Sequence, residues 1–444
     1  MGTTLGTLLA FLIVFGILVF VHELGHFFMA KLVGVRVEVF SWGYGKRLFG
    51  FKKGETDYRV SLVPMGGYVK FSGEEAFDQK KEPDPRDFMA KKRWQRFLVL
   101  VMGSVMNILL ALVLVSIIGM VGITYLEHQG QKPVIGWIEP GSPAEQANLR
   151  VGDEILSINK RKTKTWSDVD IAVGTRPRRL VTVEVRRDEE ILNIPLMTES
   201  KTRYDMGEAG FFGKILSQVV EVTPQSPAEK AGLKMGDVIL AVNGEPVHYF
   251  QFTEVIEKNP EKELEFLVDR KGKTLTLHVI PRLEDEVGKI GLATFKKSVF
   301  KRYGFFSSIA RSVRENKRLA FVLVNFIRDL IVGEASAQQV GGPLEIAKWS
   351  FTFFRAGLLA LMSFIAFISL QLGIINLFPI PVLDGGQIFI LGFEGLFRRD
   401  FSPKVKQVLM TIGFAMFIVL LTLVVLNDIA RRLPNGWESF LFWK

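Results

Sequence analysis

The sequence predicts a polytopic α-helical membrane protein, with about four transmembrane helices and two tandem α+β domains inserted between the second and third. Three observations carry that expectation. Four uncharged stretches reach the roughly 20 residues a bilayer crossing needs: Met1–Val21, Phe97–Leu126, Ala356–Leu383 and Gln407–Asn427. Between the second and third lies an internal repeat, SPAEQANLRVGDEILSIN (Ser142–Asn159) against SPAEKAGLKMGDVILAVN (Ser226–Asn243), at an offset of 84 residues. The composition of the 444-residue chain, 48% hydrophobic and 23% charged, fits spans joined to soluble parts.

The first stretch has neither a basic leading segment nor a small-x-small cleavage site, so it reads as a retained span, residues 1–30, that runs into His22-Glu-Leu-Gly-His26. Lys31–Arg96 carries 15 Lys/Arg against 9 Asp/Glu and is expected on the cytoplasmic side. Within it PMGGYVKF (Pro64–Phe71) predicts a β-hairpin turning at Gly66-Gly67. The second span is expected over 97–126. The third, 355–384, ends at Asn376-Leu-Phe-Pro-Ile-Pro381, which cannot continue a helix. Arg398, Arg399, Lys404 and Lys406 make 385–406 a cytoplasmic connection to the fourth span, 407–427. The segment from about 127 to 355 and the tail 428–444 then lie outside, although Arg431 and Arg432 argue the other way. A net charge of +10 belongs to the cytoplasmic loops beside a lipid bilayer. No RNA- or DNA-binding signature is present, so no nucleic acid partner is expected. Cysteine is absent, which excludes disulfides and leaves His, Asp and Glu as strong metal ligands.

Each repeat reads as a short helix started by Ser-Pro, a Gly-Asp turn and a strand ending at Asn. That order resembles the centre of a PDZ domain, with copies expected over 127–205 and 206–295. PDZ domains capture extended peptides on a sheet edge; the other reading makes the pair a spacer or size filter. In 296–354 the apolar run Leu319–Ile327 is only nine residues long, flanked by Lys317, Arg318 and Arg328. It predicts an amphipathic helix on the outer leaflet or against the repeat domains.

His22 and His26 are four apart, so a helix puts both imidazoles on one face, able to hold one metal ion. Glu23 beside them can act as general base, the arrangement of H-E-x-x-H. Ionisable groups inside a span cost about 2.5–3.5 kcal/mol on insertion scales, so three at ligand spacing point to function. A catalytic zinc site takes three protein ligands. His128, His248 and His278 lie in the outer segment, which leaves Asp384, the first charged residue after Arg355, as candidate third ligand. The glycines of Leu383-Asp-Gly-Gly386 let the backbone pack closely there. Asn376 is another polar group at membrane depth; it either holds a substrate carbonyl or oxyanion or caps the broken backbone before the prolines.

HELGH in the first span, NLFPIPVLDGG at the third and the repeat pair between them resemble the site-2 protease family of intramembrane zinc metalloproteases. The similarity runs over nearly the whole chain. It includes GVRVEVFSWGYGK (Gly34–Lys46), PMGGYVKF and GGPLEIAK (Gly341–Lys348). The resemblance implies His22, His26 and Asp384 as ligands of one Zn2+, Glu23 as catalytic glutamate and Asn376 in substrate handling. PMGGYVKF corresponds to a re-entrant hairpin, and Gly66, Gly67, Tyr68 and Val69 are expected to pair with an unwound substrate; the plain alternative is a surface hairpin. A Gly-Pro-x-x-Asn pattern common in the second span is here Gly103-Ser-Val-Met-Asn107, without the proline. The family implies single-span membrane substrates, such as an anti-sigma factor after a first outer cut, and remnant signal peptides. It implies a bacterial inner membrane, with PDZ domains in the periplasm and the active site towards the cytoplasm. Two other classes fit the residues: a zinc enzyme cutting a lipid amide, and a PDZ scaffold with a vestigial site.

Overall fold

The computed structural model describes residues 2–73, 84–433 and 437. Met1 of the first expected span, residues 74–83 of the expected cytoplasmic loop, and 434–436 and 438–444 of the expected tail lie outside the described residues. The chain forms two compact units. One comprises Met1–Gly122, Arg302–Arg328 and Val340–Lys444, the other Ile123–Lys301 and Asp329–Gln339.

In the first unit α1 (Gly2–Leu32) is one uninterrupted helix. Its 31 residues reach about 46 Å at about 1.5 Å each, so the HELGH segment continues the span helix. A bent sheet follows, made of β1 (Val37–Lys53) and β2 (Thr56–Phe71). Residues 39–42 pair with 67–70 on one side and with 57–60 on the other, while 47–53 pair back on 56–61. Gly43, Gly45 and Gly66 have φ of +92, +88 and +92, which glycine reaches without strain. These bends let each long strand fold across the other. The expected hairpin tip is therefore corrected: the chain reverses between Lys53 and Thr56, and Gly67 sits in a strand opposite Trp42. A positive-φ glycine marks a bend as readily as a hairpin turn.

The second span is α2 (Arg93–Val121). It stops at Gly122, φ +126, rather than at Leu126. The β-prone residues beyond it instead form a strand of the second unit. Helices α1 and α2 meet at small residues: a Cβ on Gly25 would lie 2.4 Å from the Met102 carbonyl oxygen.

The second unit holds two similar modules, introduced by β3 (Ile123–Leu126). The first contains β4 (Trp137–Ile138), α3 (Pro143–Gln146), β5 (Glu154–Ile158), β6 (Arg161–Lys162), α4 (Trp166–Gly174), β7 (Leu180–Arg187), β8 (Glu190–Met197) and β9 (Phe211–Phe212). Its sheet runs β6-β5-β7-β8, with β4 paired to β9. The second contains β10 (Ser217–Val222), α5 (Pro227–Lys230), β11 (Val238–Val242), β12 (Glu245–Pro246), α6 (Tyr249–Glu257), β13 (Leu264–Arg270), β14 (Lys273–Val279), β15 (Arg282–Glu284), β16 (Val287–Lys289) and β17 (Leu292–Lys296). Its sheet runs β14-β13-β11-β10-β17, with β12 on β11. A last strand, β18 (Ser298–Lys301), pairs with β3. Because Ala209 and Phe211 are buried in the first core, that module extends past the expected boundary at 205.

The repeat has a physical basis. Ser142 and Ser226 cap α3 and α5 through the backbone N–H of Glu145 and Glu229. The aspartate of each Gly-Asp turn, Asp153 or Asp237, accepts from the Arg150 or Lys234 N–H and from Arg187 or Arg270. Burial alone would raise both carboxyls, but the arginine and backbone hydrogen bonds outweigh it and hold them below the ordinary value. A depressed carboxyl stabilises the fold above its unfolded pKa, and that stability is lost as pH falls through the folded value. Asp237→Asn should therefore cost about 3 kcal/mol at pH 7, by leaving Arg270 without its charge partner. The gap from wild type should begin to narrow near about pH 4 and shrink further as pH falls through the depressed folded value. Thermal unfolding between pH 7 and pH 3 checks this; a gap that stays constant would rule out the ion pair as its source.

The chain then forms α7 (Phe305–Ile331), α8 (Pro343–Arg355), α9 (Leu358–Ile375), α10 (Asp384–Leu396) and α11 (Pro403–Ala430). The apolar run at 319–327 is part of this longer α7. Within it Ser312 Oγ donates to the Leu112 carbonyl, and Leu319 lies against Ala111, Ala366 and Leu370. The third span helix ends at Ile375, since Pro379 and Pro381 break it before Leu383. The expected connection 385–406 contains α10, whose Leu391 packs with Val99 and Leu100 of α2. Among the described residues four helices, Thr4–Leu32, Arg93–Val121, Leu358–Ile375 and Lys404–Ala430, are long and apolar enough to cross a membrane.

Candidate metal centre

The helical period brings His22 and His26 together on α1: their rings stand 4.8 Å apart between centroids, and their Nε2 atoms are 3.2 Å apart. Asp384, the first residue of α10, completes the group, with Oδ2 3.1 Å from His22 Nε2 and 3.5 Å from His26 Nε2. Ligand atoms on bonds of about 2.0–2.1 Å to a tetrahedral zinc stand about 3.4 Å from one another, which these separations match. Among the described residues this is the one group of three such side chains that could hold a metal ion.

Proton placement shows why a cation belongs there. His26 Nδ1 lies 2.8 Å from the Val99 carbonyl oxygen, which can only accept, so Nδ1 carries the proton and Nε2 keeps its lone pair. His22 Nδ1 lies 3.4 Å from the amide of Asn107, a fully buried residue whose Oδ1 has no partner. Amide O and N are interchangeable by a half-turn. With Oδ1 turned to His22 it accepts from Nδ1–H, and His22 Nε2 also presents a lone pair. Asp384 Oδ2 is likewise buried without a hydrogen-bond partner. Three electron-rich atoms thus face one another, the arrangement a divalent cation resolves.

Close packing builds the rest. A Cβ on Gly103 would lie 2.3 Å from His26 Nε2 and 2.8 Å from His22 Cε1, so only glycine on α2 admits both imidazoles. Cβ atoms on Gly385 and Gly386 would lie 2.2 Å from the Leu377 carbonyl carbon and the Ile380 carbonyl oxygen. The double glycine therefore lets the turn before α10 fold tightly, as the sequence suggested.

The other expected site residues divide. Glu23 accepts a hydrogen bond from Val69 N–H at 3.1 Å, and Gly67 approaches its Cγ. Tyr68 faces elsewhere: its ring stacks on Tyr44 at 5.8 Å, and Arg59 bonds its hydroxyl. Gly66 supplies the bend. Asn376 does two things with different atoms. Its carbonyl accepts from Gly385 N–H at 2.7 Å and ties the broken helix, while its amide nitrogen lies 3.5 Å from His22 Nε2. His128 and His248 belong to the second unit's modules. There burial and the nearby Lys296 ammonium push both imidazoles down, His128 to about 4.

Sequence reasoning named Gly103 and Asn107 as a second-span pattern without assigning them a role at the site. Their four-residue spacing inside a span was the available signal, because it places both on one face of α2. The use of the Val99 carbonyl left no trace in residue type.

Peptidase family M50 matches residues 10–420. Regulator of sigma-E protease RseP of Escherichia coli (strain K12) is 31% identical over 96% of this chain and 98% of its own. Regulator of sigma E protease of Salmonella typhi is 32% identical over 97% of this chain and all of its own. A Vibrio cholerae protein named provisionally as a zinc metalloprotease is 32% identical over the same shares, 97% and 100%. With that match and relatives aligned over nearly their whole length, the chain belongs to peptidase family M50 and is a metalloprotease.

Proposed function

We propose that the chain binds one zinc ion through His22, His26 and Asp384 and hydrolyses peptide bonds inside the membrane-spanning segments of single-span proteins. The observation that supports this most is the convergence of three ligand atoms at 3.1–3.5 Å on helices that belong to a membrane domain. When bound, zinc supplies Lewis acidity that polarises a carbonyl and lowers the pKa of water towards about 7.

The chain's own residues do the rest. Glu23 takes a proton from water on its carboxylate and passes it to the departing amine. The Val69 N–H bond to Oε2 holds that carboxylate beside the ligand imidazoles. The Asn376 amide, on the same side as His22 Nε2, donates to a carbonyl oxygen as charge grows on it. A substrate helix hides its carbonyls in its own hydrogen bonds, so it must be unwound before attack. Residues 67–71 are suited to hold it extended: one edge pairs with 37–42, and among the described residues no strand lines the other.

The two modules are read as a PDZ pair that captures peptide tails or excludes substrates still carrying bulky outer domains, supported by the repeat and by matching strand order. On the basic bias of 31–96, the active site is placed towards the cytoplasm of a bacterial inner membrane and the modules in the periplasm. The relatives named for sigma-E regulation support an anti-sigma factor as one substrate; the family resemblance adds a first outer cut before it, and remnant signal peptides as another substrate. The test is purified protein in detergent with a tagged single-span peptide, with and without a zinc chelator. Cleavage within the span that the chelator stops, and added zinc restores, is the expected result. Cleavage indifferent to the chelator would sink the proposal, as would an intact peptide under conditions where the protein holds zinc.

A further inference from the structure

Helix α10 carries two charges, Asp384 on its first turn and Glu394 on its last, and the mechanism uses only the first. Glu394 has a side chain only 1% exposed, near the C-terminal end of the helix, where the macrodipole disfavours an anion. It is retained there among partners from three directions. Lys406 Nζ of α11 lies 2.7 Å from Oε1, Arg96 Nη1 of α2 lies 3.8 Å from Oε2, and Phe401 N–H donates to Oε1 at 2.9 Å. Arg96 is itself buried and also reaches Asp400 at 3.4 Å. Between the two charges Ile388 and Leu391 pack into the core shared with Val99 and Leu100 of α2.

This core adjoins the metal centre through Val99. Val99 supplies the carbonyl that fixes His26, and Gly103, one turn on, cradles both imidazoles. An apolar face alone lets a helix slide along its neighbour, whereas a buried charge held by a guanidinium and an ammonium fixes one register. Glu394 lies about 15 Å along the helix axis from Asp384, ten residues at about 1.5 Å each. Any slip at the clamp therefore moves the ligand oxygen by a like amount.

We propose that Glu394, with Arg96 and Lys406, is a positioning residue for the metal ligand Asp384: the clamp sets the register of α10 on α2 that brings Oδ2 within reach of both imidazoles. This rests on the proposed zinc site, and the experiment separates the two. Zinc affinity is measured by competition with a chromophoric chelator on the full-length protein in detergent, for wild type, Glu394→Gln, Asp384→Asn and the double variant, with thermal unfolding of each metal-free protein. Wild type that binds no zinc would end the underlying proposal. Given a wild type that binds, Glu394→Gln is expected to weaken zinc at least about ten-fold, the size of effect typical for groups that orient ligands. In the Asp384→Asn background the same change should then have no further effect, since its route to the metal is gone. A merely structural role would lower zinc affinity equally in both backgrounds, which overturns the inference. So does wild-type affinity in Glu394→Gln. Should Glu394→Gln fail to fold, Lys406→Met, which leaves Arg96 on the carboxylate, decides by the same comparison.

Discussion

Glu23→Gln is expected to keep zinc bound and to lose cleavage by about 10²–10⁴-fold, the usual contribution of a positioned general base. That range corresponds to about 3–5 kcal/mol of barrier at about 1.4 kcal/mol per decade. Glutamine matches glutamate in size, and its amide oxygen still accepts from Val69 N–H, so the local packing survives. None of the three ligand side chains changes, and Glu23 is not one of the converging group. What disappears is the ability to take a proton. Elemental analysis of the purified variant, beside a cleavage assay on a tagged single-span peptide, separates binding from chemistry. Wild-type cleavage with one zinc per chain would mean the base is another residue. Loss of zinc together with activity would mean Glu23 holds the site rather than serving the reaction.

Gly103→Ala should remove zinc binding by one methyl group. The added carbon would stand 2.3 Å from His26 Nε2 and 2.8 Å from His22 Cε1, well inside van der Waals contact. The imidazoles have little room to retreat. His26 is tied to Val99 at 2.8 Å, and His22 is bounded by Asn107 and Asn376. Parting the helices would forfeit the close packing of Gly25 against Met102, one residue along. Relief requires an imidazole to swing away or α2 to shift, and a misplacement near 1 Å costs on the order of 10²-fold in a catalytic geometry. The expected outcome is a folded protein with zinc affinity lowered by at least about 10²-fold and no measurable cleavage. Chelator competition reads the first, and a melting temperature close to wild type excludes gross misfolding. Stoichiometric, tightly held zinc in Gly103→Ala would show that α2 does not cradle the ligands as described.

The two variants fail in opposite ways, one keeping metal without chemistry and the other weakening metal binding without replacing a ligand. Together they test whether the site is a base beside a ligand set or a ligand set shaped by a neighbouring helix.

Much of this could be read in the chain directly. His22, Glu23 and His26 were legible because the helical period alone places residues four apart on one face, and an uncharged run before them marks membrane depth. Asp384 was legible because so few charged side chains lie near the third span. The repeat showed itself through Ser-Pro and Gly-Asp, since helix starts and tight turns depend on neighbouring residues. What the tertiary structure alone decided depends on distant segments meeting. Residue type does not reveal that Gly103 must clear two imidazoles, that Asn107 sets a tautomer from 85 positions away, or that Glu394 is buried with Arg96 and Lys406. Gly66-Gly67 shows the limit best. A glycine at positive φ satisfies a bend as well as a hairpin tip, and only the pairing of 67–70 with 39–42 chooses between them. Local rules set what each segment can be, and packing in three dimensions chose which of those states supports a metal ion.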